Sequence, residues 1–318
     1  MVSTPPRDED AWLAEAFARL VPGPRVRLGM GHDAAVFRHD GRDVVLKTDT
    51  VVDGVDFVLA ACGPAAAARK AVAVTLSDLA AVGAVPRALV VSAILPRGVA
   101  WETFAGIARG LLAAAEEFGA DLVGGDTSVA DAPLSLAVFA TGDLLDGGPV
   151  GRSGAKPGQV LSVTGPLGGS IFGRHLTFRP RLDASRALLA RRIPSAMMDL
   201  SDGLSRDLPR LCRASGVGAD VDPAALPIHD DVARHHDGRS ALEHALHDGE
   251  DFELLLAHEP LRPGVEAELE ALGVRLRRIG LVTASPGVVR LVGTGGPTPL
   301  VPRGFDHLAG SPSPTPTP

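Results

Sequence analysis

Asp33, Asp49, Asp78, Asp126 and Asp199 each stand within two residues of Gly, Ser or Thr, at the end of an element. A carboxylate in such a place is available to a ligand. If these carboxylates converge, each raises its neighbours' pKa and destabilises the site unless a cation compensates. Oxygen-only ligation of this kind suits Mg2+, which completes its shell with water and substrate phosphates. The chemistry implied is phosphoryl transfer, which needs positioning and charge neutralisation more than a covalent nucleophile. No Ser-His-Asp or Cys-His pattern competes with it. Taken singly, each aspartate has an ordinary reading: Asp126 is a turn residue, and Asp78 a local cap or ion pair. The repetition is what points to a shared cation.

The elements that must position these groups are legible as hydrophobic patterns. Val44 to Thr50 reads as a strand that delivers Thr48 and Asp49, then Asp53 and Asp56, to a ligand-holding edge. Ala65 to Val82 reads as one helix, apolar nearly all round and therefore buried on most faces. Asp78 lies near its C-terminal end, an unfavourable place for a carboxylate in the helix dipole. A short strand, Asp121 to Val123, runs into Gly124-Gly125-Asp126-Thr127, bringing backbone amides and a carboxylate to one edge. Asp199 ends another strand, and Ser201 or Asp202 is placed to cap the following helix, in which Pro209 predicts a kink or a late start. Acidic residues and Gly recur at His247 to Phe252, ahead of a strand over 253–257. Amphipathic helices are expected over Glu9 to Leu20 and Trp101 to Phe118.

Two nucleotide motifs are excluded by context. Gly29, Gly31 and Ala34 have dinucleotide-fingerprint spacing, but no helical pattern follows. The loop Gly151 to Gly158 is basic and Gly-rich, yet Lys156 precedes Pro157 and no helix starts there, so it is not a P-loop. Arg152 or Lys156 can reach a phosphate or stand as a solvated loop charge.

The 318 residues predict two domains, over 9–147 and 148–308, with a flexible N-terminus over 1–8 and a disordered Pro/Thr tail over 309–318. A net charge of -7 argues against a nucleic-acid surface. Apolar runs are broken short of a membrane span, and the N-terminus has no signal-peptide core. Cys62 and Cys212 provide neither a disulfide framework nor a zinc pattern, and His229, His235 and His236 read as a surface loop. A cytoplasmic protein with no membrane partner is expected.

Thr48-Asp49, Asp53-Gly54-Val55-Asp56-Phe57, Leu76-Ser77-Asp78 running to Gly83-Ala84, Gly124-Gly125-Asp126-Thr127, Asp199-Leu200-Ser201-Asp202-Gly203 and Gly249-Glu250-Asp251-Phe252 occur in this order. The ordered set, spanning about Gly29 to Leu308, resembles the thiamine-monophosphate kinases of the aminoimidazole ribonucleotide synthetase-like superfamily. The resemblance implies an α/β fold of the α+β type with two domains, the N-terminal sheet forming a homodimer. It implies ATP and several Mg2+ in the cleft between the domains, with in-line transfer of the γ-phosphate to thiamine monophosphate. By motif matching, Asp33, Thr48, Asp49, Asp78, Asp126 and Asp199 would hold Mg2+, with Asp202 a further ligand. Asp78, Asp126 and Asp199 would act catalytically through metal and phosphate positioning. Gly125, Asp126, Arg152 and Ser201 would contact ATP, and Asp56, Glu250 and Phe305 the thiamine end, where an aromatic face suits a thiazolium cation. The chain departs from the family pattern at His32 and Lys47, which together lower the expected number of metal sites by one. It departs again at Asp56, where a substrate-contacting His is usual. A related cyclo-ligase or synthetase, or a non-catalytic nucleotide-binding relative, is the alternative reading.

Overall fold

The computed structural model of the chain describes residues 9–235 and 237–305. The expected flexible start over 1–8, the tail over 309–318 and His236 lie outside those residues.

Before the central helix come α1 (Glu9–Ala16), β1 (Val26–Leu28), β2 (Ala35–His39) and β3 (Arg42–Val52). The helix itself, α2 (Leu59–Val82), is followed by β4 (Ala84–Pro96), α3 (Trp101–Phe118), β5 (Asp121–Ala130) and β6 (Ser135–Leu144). These strands form one sheet in the order β1-β2-β3-β6-β4-β5, in which only the β4–β5 pairing is parallel. Strand alternation sorts side chains to its two faces. Val45, Val51, Val91 and Val138 are buried with Ala68, Val72, Leu76 and Leu79 of α2 in one core. Leu46, Val90, Ile94 and Phe139 are exposed on the opposite face.

The second sheet is built from β7 (Val160–Val163), β8 (Pro194–Asp199), β9 (Gly218–Val221), β10 (Leu254–His258), β11 (Arg277–Thr283), β12 (Val289–Gly293) and β13 (Gly296–Pro299). Its order is β13-β12-β9-β11-β7-β10-β8. The helices among these strands are α4 (Leu182–Ala190), α5 (Leu204–Ser215), α6 (Asp230–Arg234), α7 (Ala241–His247) and α8 (Val265–Ala271). Two short 3-10 turns, at Ser170–Phe172 and Arg174–Leu176, precede α4.

Helix α2 is shared between the two units. Its sheet-facing side belongs to the first core. On the other side Ala80 and Ala81 pack with Ala187, Leu188, Met197 and Leu254, and Ala73 packs with Phe178 and Phe252. The Ser185 hydroxyl donates to the Ala80 carbonyl at 2.7 Å. Burial from both sides explains a helix apolar all round, and although its length and composition would suit a membrane span, it lies inside the fold. Its start is interrupted at Gly63 (φ 75°, ψ 164°), after which Pro64 opens the regular part, as a first-turn proline can. Gly83 closes it in the left-handed conformation, its N–H returning to the Ala80 and Leu79 carbonyls.

Several local expectations change. The first helix stops at Ala16, and Trp12, Leu13, Phe17 and Leu20 remain about half exposed. Charge rather than an apolar face anchors it: Asp10 pairs with Arg210 at 3.0 Å and with Arg213 at 3.1 Å. Gly124 to Thr127 is not a turn but the middle of β5, because its parallel pairing with β4 continues to Ala130. A Cβ at Gly125 would lie 2.3 Å from the Val91 carbonyl oxygen, so this strand approaches its neighbour too closely for any side chain there. Helix α5 begins at Leu204, ahead of Pro209, and neither Ser201 nor Asp202 caps it. Instead Asp207, within its first turn, accepts the Asp202 amide at 3.0 Å.

Candidate active site

Three of the singled-out carboxylates meet where α2 passes between the sheets. Oxygens of Asp33, Asp78 and Asp199 lie within 4.8 Å of one another, and all three residues are buried. Asp33 comes from the loop between β1 and β2, Asp78 from the last turns of α2, and Asp199 from the end of β8. Each is held by a neighbour. Arg152 donates to Asp33 Oδ1 from Nη2 at 2.7 Å and Nε at 3.2 Å. The Ser77 hydroxyl donates to Asp199 Oδ2 at 2.6 Å. Lys47 Nζ lies 2.9 Å from Asp78 Oδ2 and 3.4 Å from Asp49 Oδ2. Asp33 Oδ2 is buried without a hydrogen-bond partner. A buried, unpaired carboxylate oxygen beside two further carboxylates is costly by itself. An oxygen-only donor set of this composition fits Mg2+.

The electrostatics carry the same message. Burial, followed by the charge of Asp33, pushes Asp199 up to about 7, with Ser77, Lys47 and Arg152 pulling the other way. Burial also raises Asp78 well above the ordinary carboxylate value, with Lys47 opposing and Asp49 and Asp199 adding to the rise. The folded, metal-free protein therefore keeps protons that the unfolded chain releases between the ordinary value of 3.8 and about 7. Its stability falls as pH rises through that window, whereas a bound cation takes the protons' place. The gain in Tm on adding Mg2+ is expected to grow between about pH 5 and about pH 8. Thermal melts in chelator and in Mg2+ read this directly, and a gain that does not change with pH counts against the carboxylates as the cation site.

The strand pleat separates the remaining aspartate and threonine candidates. Lys47 and Asp49 share the α2-facing side of β3, where Asp49 pairs across to Val138 and Val138 to Val91. Thr48 is in the adjacent row, beside Phe139 and Val90, on the exposed face. Asp126, in β5 at the sheet edge, pairs with Ser92 of β4, and β5 lies three strand positions from β3, or roughly 14 Å. Neither Thr48 nor Asp126 joins the carboxylate cluster. Asp202 is also elsewhere: Arg210 binds its carboxylate and that of Asp207 together.

A second charged cluster lies about two turns back along α2. Lys70, wholly buried, has Nζ 2.5 Å from Glu250 Oε1 and 2.9 Å from His175 Nδ1. His175 Nδ1 is in turn 3.2 Å from Glu250 Oε2. Lys70 also donates to the Asp56 carbonyl. Burial alone would raise the Glu250 pKa, but Lys70 and His175 hold it below its ordinary value. Glu250 sits at φ +63°, an uncommon backbone state for a non-glycine residue that the surrounding contacts must hold in place. The Asp56 carboxylate accepts the Val52 amide at 2.7 Å and so closes its own turn. Ser201 and Asp202 form a wall touching both other candidates: the Ser201 carbonyl accepts the Glu250 amide at 2.6 Å, and the Asp202 carbonyl accepts the Phe305 amide at 3.1 Å. Lys70 and His175 escape a sequence reading. The signal available for Lys70 is a cation inside a helix whose faces are all apolar, which must find a buried partner.

Comparison with known proteins shows the family. The family described as AIR synthase related protein matches with its N-terminal domain over residues 31–144 and its C-terminal domain over 156–293. A thiamine-monophosphate kinase of Rhodopirellula baltica is 37% identical, the match covering 94% of this chain and 97% of the relative. That of Escherichia coli K12 is also 37% identical, over 89% of this chain and 93% of the relative. The solved structure of AaThiL complexed with AMPPCP and TMP superposes with a TM-score of 0.81 at 26% identity, covering 94% of this chain and 97% of that one. With two family domains in order and full-length relatives at this identity, the chain belongs to the AIR synthase-related family and, within it, to the thiamine-monophosphate kinases.

Proposed function

We infer that this protein transfers the γ-phosphate of ATP to thiamine monophosphate, giving thiamine diphosphate and ADP without a covalent intermediate. The observation that carries the reading is the convergence of Asp33, Asp78 and Asp199 around an unpaired buried oxygen, in a chain whose kinase relatives match end to end. The capture of AaThiL with AMPPCP and TMP supports the same pair of substrates.

In this reading Asp33, Asp78 and Asp199 hold Mg2+, which when bound neutralises charge between the phosphate oxygens. Arg152 fixes the Asp33 carboxylate and borders the ATP phosphates. Ser77 fixes Asp199. Gly125, Asp126 and Ser201 are assigned to the nucleotide. Lys70 and His175 hold Glu250 at the acceptor end, with Asp56 and Phe305 beside the thiamine moiety. Two patches of buried charge on one helix, two turns apart, give donor and acceptor separate seats at a fixed spacing. In-line transfer needs such an arrangement, because positioning supplies most of the catalysis.

Incubation with ATP, Mg2+ and thiamine monophosphate is expected to yield thiamine diphosphate and ADP in equal amounts. ADP without thiamine diphosphate, or nucleotide binding without turnover, defeats the reading. Homodimerisation across the first sheet is part of it, supported by the exposed Leu46, Val90, Ile94 and Phe139. Sedimentation velocity tests that component, and a monomer at micromolar concentration counts against it. The reading places the enzyme in the cytoplasm, where its phosphoryl donor is.

A further inference from the structure

Asp49 and Asp78 come from different elements, β3 and α2, yet both carboxylates lie within reach of one ammonium. When both are ionised, two carboxylates so placed repel each other unless a positive charge stands between them. The chain supplies one itself. Lys47 shares a strand face with Asp49, and its ammonium lies 2.9 Å from Asp78 and 3.4 Å from Asp49. Asp49 Oδ2 is buried and has no hydrogen-bond partner, so this ion pair is its compensation. The oxygens that stand open to one another belong instead to Asp33, Asp78 and Asp199. An ammonium is held by its own stem at a distance set by hydrogen bonding, about 2.8 Å. Mg2+ binds at about 2.1 Å and keeps several waters, for which the space beside Nζ is already taken.

We propose that Lys47 is a covalently tethered cation that occupies the place between Asp49 and Asp78, so that divalent ions are confined to the side of the cluster formed by Asp33, Asp78 and Asp199. The inference rests on the reading that this cluster binds divalent metal. In consequence, part of the site's positive charge is present at any Mg2+ concentration. Asp78 then faces a lysine on one side and the metal on the other.

Mn2+ serves as the probe, its binding followed by electron paramagnetic resonance in the presence of a β,γ-methylene analogue of ATP. Lys47→Ser is expected to bind one more Mn2+ per chain than the wild type, because serine vacates the space and adds a hydroxyl oxygen. Asp49→Asn, which only removes a negative charge and leaves the lysine in place, is expected to bind the same number as the wild type. Equal stoichiometry in Lys47→Ser and wild type overturns the proposal, as does the loss of one Mn2+ in Asp49→Asn. The second variant decides the matter if the first does not fold. Absence of Mn2+ binding in the wild type itself sinks the metal reading, and the proposal with it.

Discussion

Replacing Asp199 by Asn lowers thiamine diphosphate formation by roughly 10³-fold or more, and it leaves the metal-free protein at least as stable as the wild type. The two effects have one cause with opposite consequences. Asp199 is 3% exposed and shares its surroundings with the carboxylates of Asp33 and Asp78. Without a cation its ionised form is unwelcome there, which is why burial and Asp33 push it up to about 7. Asn keeps the shape and the Ser77 contact, from which the hydroxyl still donates to an oxygen. It removes the repulsion and one metal ligand together. A residue important only for packing would lose stability and activity in parallel. The kinetics and the melting curve of metal-free Asp199→Asn therefore test the role together. Turnover within a few-fold of wild type, or a large fall in Tm, would remove Asp199 from the site.

Lys70→Met acts mainly on stability, and its expected cost is about 3 kcal/mol, toward the low end for breaking a buried ion pair. Lys70 is wholly buried, but the Glu250 side chain is 26% exposed and can partly rehydrate when its partner is gone. Three contacts vanish at once: those to Glu250, His175 and the Asp56 carbonyl. These join the turn after β3 to the loop before β10, so the acceptor end of the site loosens with them. Adding Glu250→Gln to Lys70→Met removes the stranded charge and should restore much of the stability, although not the thiamine monophosphate affinity. Urea unfolding of the single and double variants measures the first effect, and KM for thiamine monophosphate the second. A single variant as stable as wild type would show that the cluster is not a buried charge network at all.

How far the sequence carries depends on the physical origin of each signal. Helix α2 was legible because burial on every side leaves an apolar record in every direction, and Ala65 to Val82 keeps that record. Asp33, Asp78 and Asp199 stood out because a carboxylate within two residues of Gly or Ser at an element's end has little structural reason to be there. Thr48 is instructive for the opposite reason. Strand alternation alone places it across the sheet from Asp49, yet adjacency in the motif grouped the two. Gly124 to Thr127 looked like a turn because glycines usually break strands. Here Gly125 is needed inside one, where the Val91 carbonyl leaves no room for a Cβ. Asp202 and Arg210 are eight residues apart and meet only once α5 is folded between them. His175 reaches Lys70 from 105 residues away, in a 3-10 turn with no periodicity to announce it. Long-range pairing of that kind leaves no local trace.

Lys70 and Ser77 are separated by seven positions on one unbroken stretch of α2, close to two full turns, and so they point the same way. Side-chain changes between them, such as one small apolar residue for another, leave that alignment untouched. A single inserted or deleted residue does not: it swings everything beyond it by about 100° and moves it by about 1.5 Å. Ser77 and Asp78 would then turn away from β8 while Lys70 stayed with Glu250. The segment between Lys70 and Asp78 therefore tolerates a change of side chain far better than a change of length.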